Sequence, residues 1–380
     1  MKIGVVGKTN VGKSTFFSAA TMVDVDISNR IFTTIKPNVG VSYARTNCAE
    51  KELGLKCSPR NSKCENGVRL IPISLVDVAG LVPDAHLGKG LGNQFLSDLM
   101  EAEGLIHVLD LSGTTDAGGN PTSGYDPEKD ILFLEKEIDY WIEAILKKNW
   151  DNIERKSKQG KPLYEVIYEQ LSGLGVQQEK VREIVERGYS DLLDLATKIR
   201  EVNKPLILAG NKIDLKSAWD NYQRLKSKYD ITPVCAEAEL ALRKADRAGL
   251  IHYVPGSSDF EFLKSVPPEQ ERALNFIREN VLRKYGSTGV QQVINKIVFE
   301  RLQYIPVYPV EDEHHYSDSN GKILPDVYLM RNGSTALDLA YKVHSDIGKA
   351  FIGAIDAKTK KKVGKEYILK PNDVIKILTR

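Results

Sequence analysis

The segment 7–14, with the sequence GKTNVGKS, limits the possible folds more than any other feature of the chain. It fits the pattern G-x-x-x-x-G-K-[ST], follows an apolar β-branched run at 3–6 and precedes a helical stretch at 13–21. Glycines in such a loop let the backbone wrap closely, so that successive N–H groups point at phosphate oxygens. A strand, this loop and a helix in succession predict a phosphate-binding site.

The residues of this loop divide into those that contact phosphate and those that hold a metal ion. Lys13 is predicted to contact the β- and γ-phosphates of a nucleotide and is counted among the catalytic residues. The Ser14 hydroxyl is predicted to bind Mg²⁺, and the following helix adds its positive N-terminal end. The nucleotide-binding residues predicted in this loop are Lys8, Thr9, Asn10, Val11, Gly12, Lys13, Ser14 and Thr15.

Two further segments complete the predicted phosphate site. Asp77 and Gly80 follow an apolar run at the spacing Asp-x-x-Gly. Asp77 is predicted to hold Mg²⁺, and the Gly80 N–H is predicted to contact the γ-phosphate, so Gly80 is also counted as catalytic. In the segment 32–38, FTTIKPN, either Thr33 or Thr34 can complete the metal shell when a triphosphate is bound.

Asn211, Lys212 and Asp214 form the pattern Asn-Lys-x-Asp after another apolar run. The Asp214 carboxylate can accept hydrogen bonds from N1–H and N2–H₂ of guanine, and adenine has neither donor in that arrangement. Lys212 is predicted to pack over the base, and Asn211 to tie the loop together. The next run ends at Cys235 and Ala236, where a backbone N–H can meet the guanine O6. The pattern therefore predicts GTP and GDP as ligands rather than ATP.

The remaining apolar runs predict the fold class. They occur at 71–78, 105–111, 205–209 and 231–235, and helical stretches separate several of them. Strands that alternate with helices pair in parallel, which predicts an α/β fold of the P-loop type with a doubly wound, mainly parallel sheet.

Two regions depart from this alternation. Between 126 and 203, apolar residues recur mostly at spacings of three to four, which is typical of amphipathic helices. From Tyr304 onward, short strands surround one helix, which Ser334 or Thr335 would cap. We therefore predict a nucleotide-binding domain at 1–125 and 203–302. An inserted helical domain would occupy 126–202, and a small α+β domain would occupy 303–380.

The composition is that of a globular protein with balanced charge. The chain has 380 residues, of which 53 are basic and 51 acidic, for a net charge of +2. This balance argues against nonspecific binding of nucleic acid by the whole surface, although it permits local basic patches. No apolar run is long enough to span a bilayer, and the N-terminus has no secretory signal. We expect a cytoplasmic monomer with no membrane partner.

These motifs together resemble the Obg-related GTPases of the YchF-like subfamily. The segment 77–96, DVAGLVPDAHLGKGLGNQFL, is long enough to be specific, and the segment 32–38 also fits. The family's Mg²⁺ threonine aligns with Thr34. The resemblance covers nearly the whole chain and implies that the C-terminal unit is a TGS domain, a β-grasp module. Members that prefer ATP have a degraded base motif, whereas this chain keeps Asn-Lys-Ile-Asp.

The resemblance also bears on hydrolysis. Many GTPases orient the attacking water with a glutamine directly after Asp-x-x-Gly, but Leu81 occupies that position here. His86 matches a histidine of the family and is predicted to orient or polarise the water, with a structural hydrogen bond as the alternative. Asn10 resembles the loop asparagine of GTPases that recruit K⁺ beside the phosphates, which implies K⁺ as a second cofactor.

Several other clusters have more than one interpretation. Cys48, Cys57 and Cys64 lie in an apparent insertion at 46–67, and they could hold zinc, form a disulfide or remain free thiols. Free thiols are favoured because no C-x-x-C pattern is present. The acidic and histidine run at 312–315 is interpreted as a solvated loop. His107, within an apolar run, is interpreted as a core residue.

A basic turn raises the question of a partner. Lys358, Lys360, Lys361 and Lys362 can be a solvated face or can contact RNA phosphates. Together with the resemblance, this turn suggests a ribosome or another RNA–protein assembly as the partner. The predicted function is a GTPase switch, and the alternatives are a nucleotide-gated adaptor for ribosome or RNA, and an ATPase.

Overall fold

The computed structural model describes residues 1–22, 38–78, 99 and 101–380. Most of the strands and helices that the sequence predicts are present in the structure. The described strands are, in chain order, β1 (Lys2–Val6), β2 (Asn38–Asn47), β3 (Lys63–Glu65), β4 (Val68–Asp77), β5 (Gly104–Asp110), β6 (Leu206–Asn211), β7 (Ile231–Pro233), β8 (Ile251–His252), β9 (Glu261–Phe262), β10 (Tyr304–Val310), β11 (Tyr328–Arg331), β12 (Phe351–Asp356), β13 (Lys361–Val363) and β14 (Val374–Thr379).

The main helices separate these strands as the predicted alternation requires. Two of them, Pro268–Ile277 and Val290–Asn295, continue into π-helical turns at Arg278–Leu282 and Lys296–Arg301. The described α-helices of five residues or more are α1 (Lys13–Thr21), α2 (Ala49–Leu53), α3 (Glu128–Lys158), α4 (Leu163–Leu171), α5 (Gln178–Arg187), α6 (Leu192–Asn203), α7 (Lys216–Leu225), α8 (Ala236–Arg247), α9 (Pro268–Ile277), α10 (Val290–Asn295), α11 (Ala336–Val343) and α12 (Ser345–Lys349).

The larger sheet has the strand order β2-β4-β1-β5-β6-β7, and β3 pairs with β4. Neighbours from β4 to β7 run parallel, with Val5 opposite Asp77 and Asp110 opposite Asn211. Parallel strands in register end at one edge of the sheet, so the residues that follow them converge there. This confirms the predicted doubly wound α/β fold and explains how motifs far apart in sequence meet.

One apolar core joins the sheet to the helices of 126–203. It contains Val6 and Val76 from the strands together with Leu134, Ile138 and Ile142 from one face of α3. The three-to-four spacing of the α3 residues puts them on a single stripe, and burial of that stripe against the sheet stabilises the helix. The helical insertion therefore packs directly on the nucleotide-binding fold.

The structure divides into two compact units, and this division differs from the predicted one. One unit comprises Met1–Ser42 and Ser74–Val293, so it includes the helical insertion. The other comprises Tyr43–Ile73 and Ile294–Arg380. Residues 43–73 therefore belong with the C-terminal region, although the sequence suggested a boundary near 303. Their contacts are long-range, as in the hydrogen bonds from Ser58 N to Ile323 O and from Arg60 N to Pro325 O.

The C-terminal unit has its own sheet, in the order β11-β10-β14-β12-β13. Thr335 caps α11 and forms a capping box with Asp338, as the sequence predicted for one of two candidates. Leu339 and Ala340 are buried on the inner face of this helix, whereas Tyr341 is 50% exposed. An isolated bridge between Thr335 and Ile368 joins the start of the helix to the segment before β14.

Within the described residues, no helix is long and apolar enough to cross a membrane.

Candidate nucleotide-binding site

The loop between β1 and α1 requires glycine at its last position. Gly12 has φ 91°, in the left-handed region, and Asn10 has φ 65°. A Cβ on Gly12 would lie 2.2 Å from Nδ2 of Asn211, a distance that no side chain could adopt. The Phe16 N–H then donates to the Gly12 carbonyl across 2.9 Å and starts the helix. The backbone thus adopts the wrapped shape that phosphate binding needs.

Lys13 and Asp77 meet at the start of this helix. The Lys13 ammonium contacts the Asp77 carboxylate, and both side chains are largely buried. Ser14 is half-buried in the first turn of α1. A cation and a carboxylate therefore meet at the mouth of the loop, beside the helical turn that carries the Ser14 hydroxyl. These residue types are the ones expected to bind a phosphate and a magnesium ion.

Lys8 points into the protein. Its ammonium lies 2.8 Å from Asp130 Oδ2, donates to the Thr115 carbonyl across 2.9 Å and lies 3.9 Å from the centre of the Tyr125 ring. Burial raises the pKa of Asp130, against the lowering effect of Lys8. The Lys8 ammonium therefore anchors the loop to α3 and to the segment after β5, so the predicted contact of its side chain with a nucleotide would require these bonds to break.

Thr9 and Asn10 are covered by the segment after β5. The Asn10 side-chain amide donates to the Gly119 carbonyl across 2.9 Å. Gly119 has φ 81°, and a Cβ there would lie 2.7 Å from the Thr9 Cβ and from the Thr9 carbonyl. The two segments therefore lie in close contact, and the hydrogen bond to Gly119 orients the Asn10 amide. Val11 is buried, and Thr15 is half-buried in α1.

Asn211 joins the base motif to the phosphate loop. Its Nδ2 donates to the Val11 carbonyl across 2.9 Å, and its Oδ1 accepts from the Ala236 N–H across 3.0 Å. The side chain is 4% exposed. Three segments that are distant in sequence are thereby held together by one amide.

Asp110 was missed by the sequence analysis. It is 1% exposed at the end of β5, and its carboxylate accepts hydrogen bonds from Lys212 Nζ, 2.9 Å away, and from Thr115 Oγ1, 2.8 Å away. Burial raises the pKa of Asp110, but hydrogen bonds led by Ser112 and Lys212 hold it below its ordinary value. Asp110 thereby fixes the Lys212 stem. A polar residue at the end of an apolar run was the available signal.

Asp214 is exposed, as a base-reading carboxylate must be. The Cys235 thiol donates to its Oδ1 across 3.2 Å. Burial and then the Asp214 charge raise the pKa of Cys235, so the thiol remains a donor. The backbone N–H groups of Cys235 and Ala236, expected near the guanine O6, donate instead to Thr288 O and Asn211 Oδ1.

A segment after α9 supports both base loops, and the sequence analysis missed it. The Tyr285 hydroxyl donates to the Ile213 carbonyl across 2.9 Å. The Thr288 carbonyl accepts from Cys235 N across 2.8 Å, and its hydroxyl donates to buried Glu239 across 2.6 Å. These bonds hold the two loops at a defined spacing. No sequence motif marks Tyr285 or Thr288.

Other predictions have mixed outcomes. His107 is a core residue as predicted, 3% exposed, and burial followed by the charge of Lys8 lowers its pKa to about 3. In the loop 312–315, Asp312 accepts from two backbone N–H groups and His315 is exposed. Thr34, Gly80 and His86, and with them Thr33 and Leu81, lie outside the described residues.

Three regions of the chain match known sequence families. Residues 2–150 match the family described as 50S ribosome-binding GTPase, and residues 209–312 match Obg-like GTPase YGR210-like, G4 motif-containing domain. Residues 315–379 match the TGS domain.

Individual relatives span the chain. An uncharacterized GTP-binding protein of Methanocaldococcus jannaschii is 49% identical, covering 99% of this chain and 98% of the relative. Obg-like ATPase 1 of Homo sapiens is 26% identical, covering 99% and 91%. The crystal structure of a GTP binding protein from Pyrococcus horikoshii OT3 has a TM-score of 0.79 and 44% identity, covering 100% of both chains. The chain therefore belongs to the Obg-related P-loop GTPases of the YchF-like subfamily, with a C-terminal TGS domain.

Proposed function

We propose that this chain binds GTP with Mg²⁺, hydrolyses it to GDP and phosphate, and acts as a nucleotide-dependent switch. The observation that carries the proposal is the joining of the base and phosphate motifs through Asn211, with the Asp214 carboxylate exposed beside it. Guanine offers two donors to such a carboxylate, and adenine leaves it unpaired. This geometry favours GTP over ATP, even though relatives at 26% identity carry the name Obg-like ATPase 1.

The donor set fits a magnesium ion. Asp77 lies at the carboxyl end of β4, opposite Val5 of β1, and the Ser14 hydroxyl is in the first turn of α1. Oxygen ligands of this kind, together with phosphate oxygens, are those Mg²⁺ prefers. When bound, the ion would neutralise charge that develops on the phosphates. Thr34 is proposed from the sequence as a further ligand.

Lys13 serves hydrolysis by holding the β- and γ-phosphates, for which it must exchange its contact with Asp77 for phosphate oxygens. Gly80 and His86 are proposed, from sequence alone, to contact the γ-phosphate and to orient the water. The Nδ2 of Asn10 donates to the Gly119 carbonyl, which leaves the carboxamide oxygen of Asn10 to coordinate a K⁺ ion. Turnover that is equal in K⁺ and Na⁺ buffers would remove the K⁺ proposal.

The test is a side-by-side measurement of GTP and ATP affinity with Mg²⁺, followed by single-turnover hydrolysis of both. We expect GTP to bind at least about a hundredfold more tightly, as hydrogen-bonding sites of this type discriminate strongly. Equal or tighter binding of ATP would contradict the assignment of Asp214. Tight GTP binding without phosphate release would contradict the hydrolysis proposal and would favour the nucleotide-gated adaptor.

A ribosome or another RNA assembly is the proposed partner, in line with the family description 50S ribosome-binding GTPase. Of the basic turn, Lys358 contacts Glu52 and Lys360 donates to the Glu313 carbonyl, while Lys361 and Lys362 are exposed on β13. A switch predicts that ribosomes accelerate hydrolysis, whereas an adaptor predicts binding without acceleration. Absence of both would contradict this partner.

A further inference from the structure

Three cysteines and a glutamate converge in the segment between β2 and β4. The Sγ atoms of Cys48, Cys57 and Cys64 and a carboxylate oxygen of Glu50 all lie within 4.8 Å of one another. All four cysteines of the chain are free thiols, and Cys235 lies apart in the base site. Nothing in the proposed nucleotide chemistry uses this cluster.

The distances match the edges of a tetrahedron around zinc. Zinc–sulfur bonds of about 2.3 Å at tetrahedral angles put two sulfurs about 3.8 Å apart, and a sulfur and a carboxylate oxygen about 3.6 Å apart. The Cys48 and Cys57 Sγ atoms are 3.9 Å apart, and Cys64 Sγ lies 3.3 Å from Glu50 Oε1. One ion can therefore reach all four ligands with small adjustments.

Local structure brings these ligands together from three turns of chain. Cys48 precedes α2, and its N–H donates to the Gly67 carbonyl across 2.9 Å. Glu50 lies in the first turn of α2 and accepts from the Cys57 N–H across 2.8 Å. Cys64 lies on β3, paired with Arg69 of β4. Backbone hydrogen bonds and strand pairing therefore hold the segments that carry the four ligands close together.

Arg69 gives an independent reason for negative charge at this place. Its side chain is 0% exposed, and its NH1 lies 3.3 Å from Cys57 Sγ and 4.0 Å from Cys48 Sγ. NH2 donates to the carbonyls of Leu324 and Pro325. A guanidinium remains charged in proteins, and a buried charge is costly unless it is paired. Neutral thiols do not pair it well, whereas thiolates do.

We propose that Cys48, Glu50, Cys57 and Cys64 bind one Zn²⁺ ion as a closed structural site. Thiolates select zinc among the common divalent ions, and four protein ligands leave no position for catalysis. Binding releases the three thiol protons to solvent. The ion with three thiolates and a carboxylate is negative overall, and the Arg69 charge offsets it.

The consequence is a cross-link within the C-terminal unit. Cys48 and partly buried Cys57 and Cys64 pack in one apolar cluster with Tyr308 and Leu324. Zinc would lock α2, the following loop and β3 into a fixed shape against that cluster. Such sites contribute directly to the free energy of folding.

The first experiment measures metal in the full chain, purified with a thiol reductant and without chelator. Elemental analysis should find about one zinc per chain, as expected for the four ligands of this cluster. The variants Cys48→Ser, Cys57→Ser and Cys64→Ser should each lose most of it. Cys235→Ser is the matched control, because it makes the same change outside the cluster, and it should keep full zinc content.

Titration with Co²⁺ tests the geometry of the site in the unaltered chain. Stripped, reduced chain titrated with Co²⁺ should develop the intense visible bands of a tetrahedral site and a thiolate-to-cobalt absorption, saturating at about one equivalent. Glu50→Gln should keep the thiolate absorption but weaken Co²⁺ binding, because it removes the charged fourth ligand. Chelation of zinc from the unaltered chain should lower its melting temperature.

Two results would overturn the proposal. The first is a reduced, folded chain that holds no zinc and shows no tetrahedral cobalt spectrum. The second is a Cys48–Cys57 disulfide in the chain isolated without reductant, found by mass spectrometry, together with no metal binding after reduction. Neither result would affect the GTP proposal, because its residues lie in the other unit.

Discussion

The side-chain amide of Asn211 donates to the carbonyl oxygen of Val11 across 2.9 Å. The same side chain accepts from the Ala236 N–H through its carbonyl oxygen. One buried residue therefore sets the distance between the phosphate loop and both base loops. Guanine recognition and phosphate binding depend on this spacing, since the two ends of a nucleotide must be met together.

Asn211→Ala should weaken GTP and GDP binding together, by about ten- to a hundredfold. The change removes two hydrogen bonds and leaves a buried carbonyl and N–H unpaired, at about 1–3 kcal/mol each. Isothermal titration with each nucleotide measures the loss, and thermal unfolding should show a lower midpoint. Asn149→Ala is the control, because that amide also donates to a carbonyl, Ile145 O, but on α3. Equal nucleotide affinity in both variants would refute the coupling.

Asp214→Asn should exchange the base preference of the site. An amide in place of the carboxylate loses the acceptor for the guanine N1–H and N2–H₂, so GTP affinity should fall at least about a hundredfold. Xanthine carries a carbonyl where guanine carries the amino group, so xanthosine triphosphate should bind the variant more tightly than it binds the original chain.

The control for this change is Asp220→Asn, an exposed carboxylate on α7. It makes the same loss of charge without altering the base loop, so GTP affinity should stay within about twofold, since isolated surface charges contribute little. If Asp214→Asn kept full GTP preference over both xanthosine triphosphate and ATP, another group would have to read the base.

The order of the motifs made much of this site predictable. Asp77 and Asn211 follow apolar runs, and parallel strands bring such positions to one edge, as the register of Val5 with Asp77 shows. Asp110 has the same placement, but a single aspartate after a strand matches no motif, so its role required the observed contact with Lys212.

Features that depend on contacts between distant parts of the chain could not be predicted from the sequence. From the sequence, Arg69 would be expected at the surface, because it is a charged residue within a strand. In the structure it is fully buried, and it donates to the carbonyls of Leu324 and Pro325. No local pattern links positions so far apart in sequence. The sequence placed the three cysteines in one segment, but the grouping of 43–73 with the C-terminal region and the position of Glu50 beside the cysteines could be recognised only from the structure.

Tyr285→Phe should weaken GTP binding by about two- to tenfold without altering the choice between GTP and ATP. The hydroxyl donates to the Ile213 carbonyl, between Lys212 and Asp214, and one such bond contributes about 0.5–1.5 kcal/mol. Titration with both nucleotides checks this. Tyr164→Phe, which removes a hydroxyl that bonds Glu165 in the helical insertion, should have no effect on affinity. A greater loss in the control would contradict the assignment.

Asp110→Asn should lower stability and GTP affinity at neutral pH, and the deficit should shrink in acid. The folded-state pKa of Asp110 lies below its ordinary value. Its stabilising contribution is therefore present above the ordinary pKa and is lost as the pH falls through the lowered one. The loss at neutral pH should be about 2–3 kcal/mol, as for a charged hydrogen-bonding group.

Denaturant unfolding of both proteins at several pH values measures this difference. Asp151→Asn, an exposed carboxylate on α3, is the control and should show no pH-dependent deficit. A deficit that stayed constant from neutral to acidic pH would mean that the charge of Asp110 is not the cause.

Lys8→Met should destabilise the chain by about 3 kcal/mol at neutral pH, because it leaves the buried Asp130 carboxylate without its cation. Burial already raises the pKa of Asp130, and loss of Lys8 should raise it further. A group with a raised folded-state pKa favours folding below its ordinary pKa and loses that contribution as the pH rises, so the deficit should grow from acidic to neutral pH. Denaturant unfolding across that pH range measures the deficit in stability.

The double variant Lys8→Met, Asp130→Asn is the control. It should recover part of the stability and lose most of the pH dependence. If the stability and the pH dependence both stayed as in Lys8→Met, Lys8 would act through packing on Tyr125 instead.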